Sequence, residues 1–216
     1  MGNNFEFSGG VVGIDLSLTG TGFARLSENG SLDVVESFGT KAGFDILPER
    51  WRYIVKCLSF HIEPNDLVFI EDYAYGKATG FSKGGQKSDS SVITLSELGG
   101  IVKLFIYGRT NRMPIPVAST TIKAFFGSGK MKKDMMPTHI YKKLRVDCNT
   151  HDEYVALGLA ALGWCASGRT PMRGETLAYE AKACKKVIEK VQALPQLYLG
   201  KDFENSKQFY SPGVNA

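Results

Sequence analysis

The stretch from residue 11 to residue 24, VVGIDLSLTGTGFA, constrains the fold more than any other part of this chain. An apolar β-type run ends in Asp15, a turn rich in Gly, Ser and Thr follows, and a second β-type run begins at Phe23. This order predicts a strand, a tight turn and an antiparallel return strand. Asp15 falls where the strand should be buried, and because an isolated buried charge is costly, its carboxylate needs a partner. That partner is either a metal ion or, in a phosphate-binding turn, the backbone donors that the carboxylate caps.

The rest of the pattern predicts a mixed α/β protein. Further β-type runs lie at 32–38, 67–70 and 115–118, and apolar residues at helical spacing predict helices at 47–62, 92–107, 133–144, 154–165 and 175–194. Ser119 is expected to cap a short helix that starts near residue 120. A meander of three strands followed by strand–helix–strand crossovers gives a mixed sheet with helices on its faces.

Composition and charge leave several classes of function open. The chain has 216 residues, 43% of them hydrophobic, and a net charge of +4, which permits a nucleic-acid partner without requiring one. We expect no membrane association, because no targeting peptide and no apolar run long enough to cross a bilayer is evident. The cysteines show no metal-type or redox-type spacing and are expected to be free, buried thiols in a reducing, cytoplasmic compartment: Cys57, Cys148, Cys165 and Cys184.

Acidic residues stand at the ends of predicted elements that are far apart in sequence. Asp15 and Glu71 end predicted strands, and the pair Asp152 and Glu153 precedes a helix of small apolar residues. The two strands can be neighbours, and a helix packed on the sheet can present its start to them. Converging carboxylates repel unless divalent cations lie between them, and hard oxygen ligands select Mg²⁺ or Mn²⁺. Two such ions can activate water and stabilise the leaving oxygen in phosphodiester hydrolysis.

Four motifs follow one another in a recognisable order: G-I-D-x-S-x-T-x-T-G from residue 13, F-I-E from residue 69, K…G-x-G…K from residue 123, and H-D-E…A-L-G-L-A from residue 151. Together they resemble the RuvC-type Holliday junction resolvases, which are ribonuclease H-like nucleases. The resemblance implies a ribonuclease H-like domain at 1–168, with a mixed five-stranded sheet flanked by helices, and a C-terminal helix and polar tail at 169–216. That C-terminal helix either packs on the domain or adds DNA-binding surface.

The resemblance also implies a homodimeric, Mg²⁺-dependent endonuclease that cuts opposed strands of branched DNA, with two ions per site and Mn²⁺ able to substitute. Asp15 and Glu71 match the family's first two metal-binding acids, and alignment on the apolar helix places Asp152 at the third position. The fourth position falls on Val155, so a fourth acid is displaced or absent.

Two residues beside Asp152 have competing interpretations. Glu153 either substitutes as a metal ligand or forms a capping box with Thr150. His151 is interpreted as a residue that supports the site or the helix start rather than as a ligand.

Basic and aromatic residues are expected to hold the DNA. Lys123 and Lys133 match family positions that assist catalysis or hold phosphate near the metals, and Lys130 and Lys132 lie in the same basic turn. The alternative is that this turn is simply solvated; phosphate contact is favoured because it supplies much of the affinity for DNA. The long loop at 73–91 follows Glu71 and carries further candidate DNA contacts: Tyr73, Tyr75, Phe81, Lys77 and Lys83. Its aromatic residues either stack on exposed bases or anchor the loop, and the helix at 92–107 is expected to form part of the dimer interface.

Three other functions remain as alternatives. The first motif also resembles a phosphate loop of sugar kinases and actin-like ATPases, but the chain shows no second copy of that loop. A related ribonuclease H-like enzyme could act on RNA or on flaps, and a junction-binding protein without catalysis would not need the retained acids. The length and tail suit a phage or viral protein, acting in the host cytoplasm, as well as a cellular one.

Overall fold

The computed structural model describes residues 8–39, 47–72, 90–169 and 177–193. Its strands are β1 (Val11–Asp15), β2 (Gly20–Leu26), β3 (Leu32–Gly39), β4 (Leu67–Asp72) and β5 (Ile115–Ala118). Its helices are α1 (Leu47–His61), α2 (Ser90–Thr110), α3 (Ser119–Phe125), α4 (Met136–Leu144), α5 (His151–Ala166) and α6 (Ala178–Ala193), with a 3₁₀ turn at Lys133–Met135. The predicted order of strands and helices is confirmed.

The strands form one mixed sheet in the order β3-β2-β1-β4-β5. Strand β1 is antiparallel to β2 and parallel to β4, and β4 is parallel to β5. Strand β1 is therefore central, and each of its residues is buried because helices cover both faces. The parallel pairing of β1 and β4 brings the ends of these two strands to the same edge of the sheet, as the sequence predicts.

Each face of the sheet has its own apolar core. On one face, residues such as Val11 and Phe69 pack against α3, α4, α5 and α6. On the other face, Val12, Ile14 and Ile70 pack against α1 and α2. Because neighbouring residues of a strand point to opposite faces, the continuous apolar runs of β1 and β4 serve both cores. No helix within the described residues is both long enough and apolar enough to cross a bilayer.

Helix α5 lies unusually close to the strands beneath it. A β-carbon added to Gly13 would lie 2.0 Å from the carbonyl oxygen of Ala156, and one added to Gly22 would lie 2.0 Å from that of Asp152. Real β-carbons do not approach a backbone oxygen so closely, so the two glycines let the helix backbone rest on β1 and β2. This contact fixes the start of α5 beside the end of β1.

Several predicted boundaries need correction. Ser119 does not cap α3: the helix begins at Ser119 itself, and the capping position is Ala118, which has no side-chain bond. The helix predicted at 133–144 begins as a 3₁₀ turn and becomes α-helical at Met136, with Pro137 in the first helical turn, where proline is tolerated. Helix α5 starts earlier than predicted, and α2 already begins at Ser90, inside the predicted loop. The cysteines are free, but only Cys184 is fully buried.

A buried carboxylate ties the start of β4 to β2. Asp66 is fully buried, and its Oδ1 accepts hydrogen bonds from the Gly10 amide and from Nη2 of Arg25, each at 2.9 Å. Its Oδ2 accepts from Nε of Arg25 and from the Glu63 amide, each at 2.8 Å. All of the partners of Asp66 are N–H donors, so both oxygens of its carboxylate must act as acceptors.

We expect Asp66→Asn to lower the free energy of unfolding by about 2 kcal/mol, because the amide nitrogen would face a donor and leave it unsatisfied. Asp33→Asn is the matched control: Asp33 pairs with the same arginine at the surface, so its loss should cost about 0–1 kcal/mol. Urea unfolding of both variants measures the difference. Equal losses would contradict the role given to the buried network.

Candidate metal centre

Two carboxyl groups lie side by side where β1 and β4 end. Ile14 is in register with Ile70 across the parallel pair, so the residues that follow, Asp15 and Glu71, are neighbours. Asp15 is 6% exposed, and Glu71 is half-buried. The sequence prediction that these two acids converge is confirmed by their contact.

The surroundings of Asp15 disfavour its charged form. Burial raises the pKa of Asp15 well above its ordinary value, and the charge of Glu71, a hydrogen bond between the two carboxyl groups and the charge of Asp152 raise it further. Lys133 acts in the opposite direction and lowers the pKa. Without a cation, the charged form of Asp15 is therefore disfavoured, and a divalent ion beside it would offset this cost.

The start of α5 adds two further groups to this edge. One ligand atom each from Asp15, His151 and Asp152 lies within 4.8 Å of the other two. Asp152 and His151 are 29% and 27% exposed at their side chains, so the group opens to solvent on one side. Glu71 touches Asp15 but lies outside this closest group of three. Together the four residues form an acidic cluster that could hold a divalent cation.

The orientation of His151 suits a ligand. Its Nε2 lies 3.1 Å from the carbonyl oxygen of Lys133, and since a carbonyl can only accept, Nε2 carries the hydrogen. In the neutral ring Nδ1 then has a free lone pair. This Nδ1 is buried, has no hydrogen-bond partner among the described residues and lies 3.9 Å from Oδ1 of Asp152. A carbonyl that fixes the ring in this way is typical of metal-binding histidines.

Glu153 has a different role from its two neighbours. It is buried, and its Oε2 accepts hydrogen bonds from the amides of Asn149 at 2.6 Å and Thr150 at 3.3 Å. Thr150 in turn accepts from the Glu153 amide at 3.2 Å. The predicted capping box is thus confirmed, and Glu153 is not part of the group that could hold a metal. Val155, at the family's fourth acid position, is buried in the apolar core.

The predicted DNA-binding residues fall into three sets. Lys133 is exposed, and its positive charge lowers the pKa of Asp15. Its backbone carbonyl accepts a hydrogen bond from Nε2 of His151. Lys123, on α3, is half-buried, and Lys130 and Lys132 are exposed in the turn that precedes the 3₁₀ turn. The remaining candidates lie outside the described residues: Tyr73, Tyr75, Phe81, Lys77 and Lys83.

The sheet order and the flanking helices match the ribonuclease H-like α/β fold. The chain is similar to two solved structures of RuvC from Thermus thermophilus. One, in complex with Holliday junction substrate, gives a TM-score of 0.54 at 12% identity, and the other gives 0.51 at 17%. Each match covers 74% of this chain and 96% of the other. No protein-family model matches the sequence, and no curated protein does. At this identity the likeness establishes the fold.

Proposed function

We propose that this protein is a divalent-metal-dependent endonuclease that resolves branched DNA, with four-way junctions as its substrate. The observation that carries the proposal is the buried Asp15, which contacts Glu71 and faces Asp152 at the open edge of the sheet. Placing these carboxylates together disfavours their charged forms, and a divalent cation between them would offset that repulsion. Two such ions are the arrangement that suits phosphodiester hydrolysis.

Branched DNA is proposed as the substrate on two grounds. The similar RuvC structure was solved in complex with Holliday junction substrate. In addition, this chain places Lys133 beside its acidic cluster, and Lys130 and Lys132 are exposed in the same turn, where they suit contact with phosphates.

Each residue of the candidate centre has a proposed role. Asp15, Glu71, Asp152 and His151 would hold Mg²⁺ or Mn²⁺. Bound ions would supply activation of water and stabilisation of the leaving oxygen. The buried position of Asp15 fixes its carboxylate, and the carbonyl of Lys133 fixes the His151 ring. The ammonium group of Lys133 would offset the negative charge that develops on the scissile phosphate.

A cleavage assay on matched substrates tests the proposal. The substrates are a four-way junction, a flap, a linear duplex and an RNA–DNA hybrid, each with Mg²⁺, with Mn²⁺ and with EDTA. We expect paired cuts in the junction that require a metal. Preferred cutting of the hybrid or the flap would favour the related ribonuclease H-like enzymes, and tight junction binding without any cut would favour a non-catalytic protein.

Lys133→Ala should lower the single-turnover cleavage rate by about a hundredfold, because one charge near the reacting phosphate is lost. Junction affinity should fall much less, since one phosphate contact among several contributes little to binding. The substitution keeps the backbone carbonyl that holds His151. Lys130→Ala is the matched control, from the same turn, and should change both quantities little. If Lys133→Ala lowers junction affinity and cleavage rate in equal proportion, the proposed role of Lys133 in the cleavage step is contradicted.

We further propose that the protein acts as a homodimer with part of its interface on α2. Two coordinated cuts need two active sites, and a twofold dimer supplies them. Leu104 on α2 is 66% exposed, and Ile93, about three turns earlier on the same helix, is 52% exposed, so the two side chains could supply apolar contact area to a second copy of the chain.

Leu104→Asp should therefore convert the dimer to a monomer and replace paired cuts by single nicks. Tyr141→Asp, at an exposed apolar residue of α4 on the other side of the sheet, should stay dimeric. Light scattering at micromolar concentration measures the state of each variant. A wild-type monomer that makes paired cuts at that concentration would contradict the proposal.

A further inference from the structure

The turn between β1 and β2 borders the acidic cluster at the edge of the sheet. It leaves β1 directly after Asp15 and enters β2 at Gly20. A β-carbon added to Gly20 would lie 3.5 Å from Oδ2 of Asp152, so the far end of the turn also adjoins a proposed metal ligand. A DNA strand that reaches these ligands would therefore run close to the side chains of the turn.

Hydrogen bonds within the turn fix its shape and leave two hydroxyl groups at the surface. Thr21 is fully buried, and its Oγ1 donates to the Ser17 carbonyl at 3.3 Å and accepts from the Ser17 amide at 3.5 Å. The Ser17 hydroxyl accepts from the Thr19 amide and also lies 3.3 Å from the Thr19 hydroxyl, in exposed positions. Because serine and threonine hydroxyls commonly contact DNA phosphates, this pair suits an anionic backbone.

Arg50 of α1 contacts the same turn from the face of the sheet opposite α5. Its Nη1 donates a hydrogen bond to the Leu18 carbonyl at 3.4 Å, and the residue is half-buried. Helix α1 packs on one face of the sheet, whereas α5, which begins with His151 and bonds to the Lys133 carbonyl, packs on the other. Lys133 beside the cluster and Arg50 beside the turn thus flank this edge of the sheet from opposite faces.

The guanidinium group of Arg50 has no acidic partner in the part of the chain that the structure describes. Its Nε is buried and lacks a hydrogen-bond partner among the same residues. A guanidinium carries five N–H donors in a planar fork that matches phosphate oxygens. This positive charge and the hydroxyl pair together form a cationic, donor-rich surface next to the acidic cluster, which is the chemistry that recognises a phosphate group.

We propose that Arg50, with the hydroxyls of Ser17 and Thr19, forms a second phosphate-binding site, which holds a neighbour of the scissile phosphate on the cleaved strand. The inference rests on the proposed function, because it needs a DNA strand at the acidic cluster. Contacts at Lys133 on one face and at Arg50 on the other would hold the strand across the edge of the sheet. The scissile phosphate would then be fixed opposite Asp15, as the reaction requires.

Interference by neutral phosphates tests this site without any cleavage step. The full-length protein is titrated in EDTA with labelled four-way junctions in which one phosphate at a time is replaced by an uncharged methylphosphonate, and fluorescence anisotropy gives the affinity. For the wild type, we expect two separate groups of positions at which the replacement weakens binding. Arg50→Ala should lose one group and Lys133→Ala the other, because a contact that the protein no longer makes cannot be weakened further.

Arg50→Ala should also lower junction affinity by about tenfold and reduce the slope of log affinity against log salt concentration by about 1. Arg52→Ala is the matched control, since Arg52 is an exposed arginine of the same helix; it should keep both groups of positions and nearly all of the affinity. Thr19→Val, which removes a hydroxyl and keeps the shape of the side chain, should lower affinity by about threefold. Arg50→Lys should restore the salt slope but not the full affinity, because an ammonium group lacks the planar fork.

The proposal is overturned if Arg50→Ala keeps the wild-type interference pattern, or if Arg50→Ala and Arg50→Lys differ from the wild type no more than Arg52→Ala does. These outcomes are separate from failure of the proposed nuclease activity. A protein that shows the Arg50-dependent positions but cuts no substrate in Mg²⁺ or Mn²⁺ retains this phosphate site and refutes the nuclease. Metal-dependent junction cleavage with a pattern unaffected by Arg50→Ala does the reverse.

Discussion

Asp15→Asn is expected to lower metal-dependent junction cleavage by about a thousandfold or more, because the proposed central ligand loses its charge. The same substitution is expected to make the metal-free protein more stable. Asp15 is buried against Glu71 and Asp152, and its charged form is disfavoured by burial and by both carboxylates. An amide of the same shape removes that penalty. Loss of activity together with a gain in stability is typical of a residue placed for function rather than for folding.

The pH dependence of this stability follows from the raised pKa of Asp15. The raised pKa means that the folded, metal-free protein binds the Asp15 proton more tightly than the unfolded chain does. The resulting stabilisation is fully present below the pKa of an unfolded Asp, about 3.9, and it is lost as pH rises through the raised folded pKa. Asp15→Asn has no such titration. The stability advantage of the variant should therefore be small at acidic pH and grow towards neutral pH.

Urea unfolding in EDTA at several pH values measures this advantage. Mg²⁺ or Mn²⁺ should then raise the melting temperature of the wild type and leave the variant unchanged, because the ion stabilises only the protein that binds it. A variant that is less stable than the wild type at neutral pH in EDTA, or that keeps normal cleavage, would contradict the assignment of Asp15.

Substitutions of three consecutive residues at the start of α5 should have opposite effects on cleavage and on stability. His151→Ala and Asp152→Asn are each expected to lower cleavage by about a hundredfold or more and to weaken metal binding, because each removes a proposed ligand. Glu153→Gln should keep most of the cleavage activity. The substitution should instead lower the free energy of unfolding by about 0.5–2 kcal/mol, because the carboxylate that accepts hydrogen bonds from the amides of Asn149 and Thr150 loses its charge.

The two kinds of effect need separate measurements. Isothermal titration with Mn²⁺ measures metal binding, single-turnover assays measure cleavage, and urea unfolding measures the cap. Glu153→Gln also serves as the matched control, since it changes a buried acid next to Asp152 without touching the proposed ligands. If Glu153→Gln is inactive and fully stable while His151→Ala is active, the roles of these two residues are reversed.

Local patterns predicted the parts of the molecule that depend on local chemistry. The strand ending in Asp15, the strand ending in Glu71 and the box formed by Thr150 and Glu153 each depend on a few adjacent residues, and all three are present. The mixed sheet, with β1 and β4 as possible neighbours, was predictable because a meander followed by crossovers leaves few ways to arrange the strands. The full strand order was not predicted.

Features that depend on distant contacts were not predictable in the same way. The ligand-like state of His151 is set by a carbonyl 18 residues earlier in the chain, at Lys133. A useful indication was present in the sequence, since Val155 left one acid position empty and Glu153 was already suited to a cap. The Ser119 boundary failed because β5 passes into α3 without an intervening turn.

The contact of α5 with β2 at Gly22 also determines how the centre responds to sequence change. The distance of Asp152 from the sheet is set by direct contact between the α5 backbone and the β2 backbone, which is possible because Gly22 has no β-carbon. Substitutions among the apolar side chains of either core can be absorbed by rotamer changes that leave this separation as it is. A single methyl group at Gly22 would instead lift the helix start as a rigid body and carry His151 and Asp152 away from Asp15 together. The spacing of the proposed metal ligands thus depends on the main chain, so the two cores can diverge in sequence while the candidate centre keeps its dimensions.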